Sequence, residues 1–456
     1  MSERIDDLPI AVIGGGPVGL AAAAQLVARG LPMRVYEAGE TIAANVRSWG
    51  HVRLFSFWRY NMDEVAKGLL REHGWQEPQE GGLPTGNELC DAYLEPLAEI
   101  PAIGGAIETK TRVRAIARHG IDKVTSRNRA KHPFALIVEN QTGARIDLAR
   151  AVIDASGTWQ NQNPLGAAGI PATGEAGQGA IVYGIPDILG GARADYVGKR
   201  VLVIGGGHSA ANALLDLARL AETDHNLQLT WAVRSTSLAR VFGGGADDQL
   251  PARGKLGSDL KQLVDGGRLQ LVRGFHAEEV TNERGALVVT GHLLSGPLIL
   301  SPVDRIIVAT GQRPDLDMTR ELRLDFDPWL ESSRALGPSI DPNLHSCGSV
   351  PPHGYRELAH PDPGYFSVGI KSYGRAPTFL LATGHEQARS VVAHLAGDEA
   401  AAIDVRLTLP ETGVCSTDID GAGEECCGGP APASQNACCV ADATSKAAGK
   451  VGCGCG

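Results

Sequence analysis

The sequence predicts an α/β fold with two nucleotide-binding units, and three observations support this prediction. A short apolar run that ends in glycines occurs twice, at residues 9–20 and 200–210, and a helical pattern follows each run. A second strand-like apolar run then follows each helix. Seven of the nine cysteines lie after residue 410, where the apolar periodicity disappears. We therefore expect two Rossmann-like dinucleotide-binding domains and a Cys-rich C-terminal tail.

The first glycine run has the spacing of a dinucleotide-binding turn. Gly14 allows the sharp turn, Gly16 lets the backbone approach a pyrophosphate, and Gly19 lets the helix pack close to the strand. Pro17 begins the helix, whose free N–H groups attract phosphate. Glu37 ends the next strand, roughly 20 residues further on, where an acid binds ribose hydroxyls. The alternative interpretation is a chance Gly-rich turn.

The second run repeats this pattern with Gly205 and Gly207, and His208 and Ser209 begin its helix. Its next strand ends in Arg234 instead of an acid, and hydroxyl side chains follow. A cation at this place suits the 2′-phosphate of NADPH, which a carboxylate would repel. The alternative is an ordinary surface arginine. Two nucleotide sites in one chain suggest that one binds FAD and that the other binds the NADPH that supplies hydride to it.

Two similar strands indicate how the domains are connected. Residues 151–158 and 305–315 each form a buried apolar run that ends in a Ser/Thr-Gly pair, and the second pair is Thr310 and Gly311. We interpret them as the points where the chain leaves and re-enters the first domain, with Thr310 and Gly311 near the cofactor. The predicted division is a FAD-binding domain in two parts (1–164 and 301–410), an inserted NADPH-binding domain (165–300) and a flexible tail (411–456).

Composition excludes several function classes. The chain has 456 residues, of which 43% are hydrophobic, and so it can bury a large core. Its net charge of -10 and its pI near 5.7 argue against a nucleic-acid partner. The acidic start lacks the pattern of a signal peptide, and no apolar run is long enough to span a bilayer. These observations lead us to expect a cytoplasmic protein.

Two further stretches are candidates for contact with the flavin. Residues 47–58 are rich in large side chains, including Arg47 and Trp49, and such a loop can wrap the isoalloxazine ring. The alternative is a loop whose aromatic residues are core. Later in the chain, a turn at Gly369 precedes a helix whose first residues include Thr378. The N-terminus of that helix can stabilise negative charge on the reduced ring, or the helix can be purely structural.

These motifs together resemble the class B flavoprotein monooxygenases, which use FAD and NADPH and include the lysine and ornithine N-hydroxylases. The closer resemblance is to flavin monooxygenases encoded beside arsenic-resistance genes, and it covers about residues 8–410. It rests on residues 50–56, 83–86, 183–187 and 371–377. One departure is Tyr183, which stands where class B enzymes carry a histidine before the second glycine motif.

The resemblance implies a monooxygenase that acts on a small molecule with O₂. The chain before the tail has no closely spaced thiol pair, as a disulfide reductase would need, because Cys90 and Cys347 are far apart. The candidate catalytic residues are His51, Arg53 and Lys371, although a structural histidine is an equally good interpretation of His51.

The tail suggests a substrate class. It contains three close thiol pairs, which are Cys426–Cys427, Cys438–Cys439 and Cys453–Cys455. Thiolates bind soft ions, and we extend this preference to trivalent arsenic and other soft metals. The spacing lacks the paired C-x2-C of a zinc ribbon. The alternative is a low-complexity tail that only buffers metal.

The leading hypothesis is therefore an NADPH-dependent flavin monooxygenase that oxidises trivalent arsenicals in arsenic resistance. Two alternatives remain open: an N-hydroxylase of an amino acid or amine, and a thiol or metal reductase that uses the cysteine pairs of the tail.

Overall fold

The computed structural model of the protein describes residues 4–243, 245–342, 350, 352–376 and 379–407. Some of the predicted residues lie outside these ranges. They are Thr378 and the tail cysteines Cys426, Cys427, Cys438, Cys439, Cys453 and Cys455.

The described residues form strands and helices that alternate over much of the chain. The strands, β1 to β16 in chain order, are Ile10–Ile13, Met33–Tyr36, Ile107–Glu108, Arg112–Arg118, Phe134–Asn140, Gly143–Ala149, Ala151–Asp154, Ile181–Tyr183, Arg200–Ile204, Gln228–Val233, Gln270–Arg273, His276–Glu283, Ala286–Leu293, Gly296–Ile299, Arg305–Val308 and Tyr365–Ser367. The α-helices, α1 to α14, are Pro17–Ala28, Ala44–Ser48, Trp58–Asn61, Glu64–Glu72, Gly86–Leu89, Glu95–Glu99, Pro101–Gly104, His208–Ala221, Ala239–Phe242, Pro251–Asp265, Gly337–Ile340, Tyr355–Leu358, Leu381–Leu395 and Glu399–Ile403.

The first sheet is parallel and has the strand order β16–β7–β1–β2–β3. Every residue of β1 is buried, as a central parallel strand requires, and Val12 pairs with Val35 and Ile153. Helices α1 and α13 pack against each other beside this sheet. Because the strands are parallel, their carboxyl ends share one edge, and this edge holds the first glycine turn.

The second sheet is also parallel, with the order β11–β10–β9–β15–β8. It repeats the local plan of the first, since β9 leads through a glycine turn into α8 as β1 leads into α1. The fully buried Trp231 on β10 donates from Nε1 to the Gly205 carbonyl at 2.8 Å. The two parallel sheets confirm the predicted α/β fold with two Rossmann-type units.

One predicted boundary differs from the observed pairing. The sequence analysis returns the chain to the first domain at residue 301, but β15 pairs with β9 and β8 in the second sheet. The chain reaches the first sheet again only at β16. The physical reason is that a buried parallel strand carries the same apolar pattern in either sheet, so only its pairing partner shows where it belongs.

Two antiparallel sheets of three strands complete the fold, β4–β5–β6 and β12–β13–β14. In the first of these sheets, β5 pairs with β4 on one side and with β6 on the other. This sheet is attached to the rest of the chain through the buried carboxylate of Asp362, which forms ion pairs with Arg118 and Arg129. Among the described residues, none of the helices combines the length and the apolar character that crossing a bilayer requires.

Candidate nucleotide-binding and active site

The three glycines of the first glycine turn have different surroundings. Gly14 has φ +99°, and a Cβ there would lie 2.6 Å from the Ala155 carbonyl oxygen on the neighbouring strand end. A Cβ on Gly19 would collide with the Gly14 carbonyl oxygen, so the helix lies against the turn. Both positions therefore exclude larger residues for reasons within the protein itself.

Gly16, by contrast, borders open space. No heavy atom lies within 4 Å of the place that its Cβ would occupy. Gly16 caps α1 without a side-chain hydrogen bond, Pro17 follows at the first helical position, and the first turn has no acidic residue. The free N–H groups and the helix dipole therefore face a gap that suits an anionic phosphate.

Glu37 lies at the carboxyl end of β2, beside this gap. Its Oε2 accepts a hydrogen bond from the Gly15 N–H at 2.7 Å, and its Oε1 accepts one from the Gly39 N–H at 2.6 Å. Two backbone donors thus fix the carboxylate next to the glycine turn. This is the arrangement that the sequence predicts for an acid that binds ribose hydroxyls.

We call the first glycine turn, from Gly14 to Gly16, together with the start of α1 the first cradle. The second glycine turn, from Gly205 to Gly207, together with the start of α8 forms a second cradle of the same design. Gly205 has φ +133°, and a Cβ there would collide with the Ala309 carbonyl oxygen, as Gly14 does with Ala155. Gly207 faces open space and caps α8, which begins with His208 and Ser209 and has no acidic residue in its first turn. Alanine replaces the third glycine of the motif at Ala210, which is fully buried.

Arg234 follows β10 and is exposed. Its Nη1 donates a hydrogen bond to the Ala167 carbonyl oxygen at 2.8 Å. The other N–H groups of the guanidinium remain available to a ligand. The backbone after it turns through Ser235, whose Oγ donates to the Ser237 carbonyl at 2.6 Å. The predicted role of Arg234 at a 2′-phosphate is compatible with this exposure and stays a prediction.

The ends of β7 and β15 are alike. Each strand continues into Ala-Ser/Thr-Gly, and Gly157 and Gly311 both have positive φ, at +72° and +88°. Thr310 donates from Oγ1 to the Asn163 carbonyl at 2.8 Å, and Asn163 N–H donates to the Gly311 carbonyl at 2.9 Å. The predicted residues Thr310 and Gly311 therefore hold the linker between the two sheets, beside the second glycine turn.

The predicted flavin loop is anchored to a second segment of the chain. Within it, Arg47 forms ion pairs with Asp91 and Glu95, which occupies the guanidinium. Arg53 is exposed and donates to the Leu83 carbonyl, with Glu88 also close. Both arginines thus have protein partners that the sequence analysis missed, because these partners lie 30 or more positions away.

Trp49 and His51 lie near residues of the interdomain linker and of α8. The Trp49 ring packs against Gly86, and its centroid is 6.3 Å from that of Trp159 on the interdomain linker. His51 Nε2 is buried and has no hydrogen-bond partner among the described residues. Burial raises the pKa of the Asp216 carboxyl in α8, while the nearby side chains of Arg219 and His51 act in the opposite direction. His51 therefore has an unused polar atom, and Asp216 is a neighbour that sequence reasoning missed.

Lys371 is not a free amine. Its Nζ lies 2.7 Å from Asp154 Oδ2 and donates to Ser156 Oγ at 2.9 Å, and both charged side chains are fully buried. The Tyr365 hydroxyl donates to the same carboxylate oxygen of Asp154 at 2.8 Å. The contacts favour a structural role over the predicted catalytic one. The signal for this partner is Asp154 itself, a carboxylate at the end of an otherwise apolar strand.

Gly369 lies at the same sheet edge. It has φ +72°, and a Cβ there would lie 3.2 Å from Val18 at the start of α1. Its N–H donates to Gln387 Oε1 at 2.7 Å, which links this turn to α13. The predicted cofactor role of Gly369 thus falls beside the first turn of the helix that borders the first cradle.

Both cradles fit a dinucleotide on the chemistry of the residues present. Each offers an uncapped helix start, an open gap at its middle glycine and no carboxylate in the first turn. Only the first has an acid fixed at the end of the following strand, and only the second has an arginine there. The difference matches a flavin dinucleotide at the first cradle and a phosphorylated nicotinamide dinucleotide at the second.

Known structures share this architecture. Bacillithiol disulfide reductase Bdr (YpdA) from Bacillus cereus aligns with a TM-score of 0.63 at 19% identity, covering 86% of this chain and 99% of that chain. DfoA from Erwinia amylovora, a cadaverine monooxygenase bound to FAD, aligns with a TM-score of 0.61 at 13% identity, covering 93% and 100%. A flavin-containing monooxygenase from Stenotrophomonas maltophilia gives 0.54 at 20% identity, covering 86% and 98%. At these identities the likenesses show the fold alone.

Sequence comparison decides the family. The curated proteins give no significant match. The family described as pyridine nucleotide-disulphide oxidoreductase matches residues 11–332, which include both glycine turns and most of both parallel sheets. The chain therefore belongs to the pyridine nucleotide-disulphide oxidoreductase family and is an oxidoreductase.

Proposed function

We propose that the chain is an FAD- and NADPH-dependent monooxygenase that oxidises a soft nucleophile, with trivalent arsenicals as the substrate class. When bound, FAD would supply the redox chemistry: two electrons that come from NADPH and the activation of O₂, of which one oxygen atom goes to the substrate and the other leaves as water. FAD is bound in DfoA, and the Stenotrophomonas maltophilia protein is a flavin-containing monooxygenase, which supports the proposal by shared architecture.

The residues of the chain supply binding and orientation. At the first cradle, Gly14, Gly16 and Gly19 with Pro17 hold the pyrophosphate of FAD, and Glu37 holds its ribose. At the second cradle, the turn at Gly205 and Gly207, with His208 and Ser209, receives the pyrophosphate of NADPH. Arg234 receives its 2′-phosphate. Trp49, whose ring lies near Trp159 on the linker, and His51, whose Nε2 has no partner among the described residues, are the candidates for contact with the substrate.

The observation that carries the proposal concerns thiols. Cys90 is the one cysteine in the described part of the chain, its side chain is fully buried, and burial raises its pKa to about 11. Such a thiol stays protonated and does not act as a nucleophile at neutral pH. Disulfide reduction would need a reactive thiol beside the flavin, and neither Cys90 nor the sequence around it offers a pair. Oxygen is the electron acceptor that needs no such group.

The tail supports the substrate class. Its three thiol pairs are soft ligands, and trivalent arsenic is a thiophilic centre with a lone pair that an electrophilic oxygen can attack. These cysteines lie outside the described residues, so the support comes from composition alone. The resemblance to monooxygenases encoded with arsenic-resistance genes points the same way.

The experiment that tests the proposal follows NADPH oxidation and O₂ uptake together. We expect methylarsenite or arsenite to raise both rates, with one O₂ consumed for each NADPH and an oxidised arsenical as product. Ornithine and cadaverine test the N-hydroxylase alternative in the same assay. NADPH oxidation that continues without O₂ when a disulfide or mercuric ion is added would instead establish the reductase alternative, for which the likeness to Bdr is the supporting observation.

A further inference from the structure

One side chain of the predicted flavin loop reaches the first turn of α8. The Phe55 ring centroid lies 5.2 Å from that of His208, with the planes tilted by 54°. The guanidinium of Arg253, on α10, lies 6.0 Å from the same Phe55 centroid. Phe55 therefore lies near two residues of the second nucleotide-binding unit although it belongs to the first.

The loop holds Phe55 firmly on both sides. The residue before it, Leu54, donates its N–H to the Pro84 carbonyl at 2.8 Å. The residue after it, Ser56, is buried and donates from Oγ to Asn61 Oδ1 at 2.8 Å. With its neighbours fixed in this way, the backbone position of Phe55 is set by the first unit.

The opposite side of the contact is equally well supported. Arg253 and Asp248 are both buried and form two hydrogen bonds, at 2.7 Å and 2.6 Å. The His208 residue has an exposed surface. Desolvation of its ring by the surrounding protein lowers the pKa of the imidazole, and the positive charge of Arg253 acts in the same direction. The imidazole is therefore a neutral ring near pH 7, able to lie against an aromatic neighbour.

The position of His208 gives the contact its meaning. His208 is the first residue of α8 and directly follows Gly207, where the cradle opens. A phosphate bound at this helix start lies next to the backbone of His208. The orientation of His208 thus bears on how a coenzyme sits, and Phe55 is the group from the flavin side that touches it.

We propose that Phe55 is a positioning residue for hydride transfer: it fixes His208 and thereby sets the place of the nicotinamide coenzyme relative to the flavin. The proposal rests on the proposed function of the two cradles. The hydride passes from the coenzyme to the flavin, and no bond forms or breaks at Phe55. The ring acts only on orientation, to which hydride transfer is sensitive because small displacements of the reacting atoms cost rate.

The test is a double-mutant cycle with Phe55→Ala, His208→Ala and the double variant in the full-length, flavin-loaded protein. Calorimetry gives the affinity for NADP⁺, and rapid mixing with NADPH without oxygen gives the limiting rate of flavin reduction. We expect Phe55→Ala to keep its flavin and to lower the limiting rate by roughly tenfold, with a smaller effect on affinity. In the His208→Ala background, removal of Phe55 should have little further effect, because residues that act through one another are not additive.

Phe326→Ala is the matched control, since Phe326 also contacts a histidine, His360, at 5.0 Å but belongs to neither cradle. It should leave both the NADP⁺ affinity and the reduction rate unchanged. Phe55→Leu keeps apolar volume at the site and should give an intermediate rate, which separates positioning from misfolding. A limiting rate that equals that of the wild type, or additive effects in the cycle, would overturn the proposal. A wild-type protein that holds no flavin or is not reduced by NADPH would refute the proposed function, and this inference with it.

Discussion

At the scale of single residues, the glycines of one motif are required for different reasons. Gly14 needs its positive φ and has a carbonyl oxygen at 2.6 Å from its missing Cβ, so the protein itself demands glycine. Gly16 has φ -85° and ψ -172°, which any residue adopts, and it borders empty space. Only the ligand can require glycine at position 16.

This difference predicts separate outcomes for two alanine variants. Gly16→Ala should fold with an unchanged melting temperature and lose its flavin, because the added methyl group occupies the path of the pyrophosphate. Gly14→Ala should lose flavin and also stability, by about 1–3 kcal/mol, since alanine is strained at positive φ. Flavin absorbance per protein and thermal melting measure the two effects. Full flavin content in Gly16→Ala would remove the first cradle from the FAD assignment.

Arg234 gives a prediction about coenzyme choice. Arg234 is exposed, and its guanidinium donates one hydrogen bond to the Ala167 carbonyl. Its remaining N–H groups can therefore pair with a 2′-phosphate. Arg234→Ala should raise the KM for NADPH by roughly tenfold, because a charge-assisted hydrogen bond is lost, and leave the KM for NADH nearly unchanged. Steady-state kinetics with both coenzymes measure the split. Equal changes would mean that Arg234 supports the fold and not the phosphate.

Asp63 predicts a pH dependence of stability. It is buried, caps α4 by accepting from the Ala66 N–H at 2.9 Å, and also accepts from Gln25. Burial raises the pKa of its carboxyl to about 6, above the ordinary value of 3.8 for an exposed carboxyl. The folded state therefore binds the proton more tightly than the unfolded state, so this contribution to stability is present at acid pH and is lost as pH rises from roughly 4 to 6.

The measurement compares the wild type with Asp63→Asn by urea unfolding at pH 4 and pH 7. The difference in the free energy of unfolding between the two proteins at pH 4 reports the hydrogen bonds that asparagine changes. The stability of the wild type relative to the variant should then fall by about 2–3 kcal/mol towards pH 7, since one pKa unit corresponds to about 1.4 kcal/mol. A constant difference across this range would show that Asp63 ionises normally in the folded protein.

The sequence predicts those residues whose role is set locally. The turn glycines, Glu37 and the start of α8 follow from backbone requirements within about 25 positions, and they lie at the carboxyl ends of β1, β2 and β9, while their contact with a cofactor stays a prediction. The sequence assigns Arg47 to the cofactor and Lys371 to catalysis, roles that stay predictions, and it does not show their partners Asp91 and Asp154, which are far along the chain. An arginine or lysine pattern cannot show which distant carboxylate will neutralise it.

At the scale of elements, strand identity is easier to predict than strand pairing. Both β7 and β15 were recognised as buried strands that end in small residues, and both are. Their sheet membership was not recognised, since β15 joins β9 instead of returning to the first sheet. Apolar composition reports burial, while pairing depends on the path of the intervening 150 residues or so.

The ion pair between β7 and the turn at Gly369–Tyr373 gives a prediction at this scale. Lys371→Met should destabilise the fold by about 3–5 kcal/mol, because it leaves the buried Asp154 carboxylate without its cation. The double variant Lys371→Met with Asp154→Asn should recover much of that loss. Urea unfolding measures stability, and flavin reduction by NADPH measures function. A stable double variant that no longer reduces its flavin would restore the catalytic role for Lys371.

At the scale of the whole molecule, the two parallel sheets have equivalent edges at the carboxyl ends of their strands. Each edge has a glycine turn, a helix start and an Ala-Ser/Thr-Gly strand end. Asn163, in the linker that follows β7, is hydrogen-bonded to Thr310 and Gly311 at the end of β15 and so connects the two edges. The core of the first unit includes Ala388, Val391 and Val392 of α13, and α14 packs on α13.

The packing of α13 and α14 predicts the effect of removing the tail. Truncation after Pro410 should leave a folded, flavin-loaded enzyme, because the tail carries no core-forming pattern. It should also weaken the binding of trivalent arsenic, since the three thiol pairs are removed with it. Flavin absorbance, thermal melting and arsenite titration of the truncated and full-length proteins measure these effects.

The kinetics of the truncated enzyme show whether the tail takes part in turnover. A tethered donor raises the effective concentration of substrate near the cleft, so the loss of rate should be largest at low arsenical concentration and should shrink at saturation. A variant with serine at the six paired cysteines, in the full-length chain, is the matched control and should behave like the truncation. If both proteins keep the wild-type arsenical affinity and rate at every concentration, the tail has no part in the reaction. The case for an arsenical substrate would then rest on family resemblance alone.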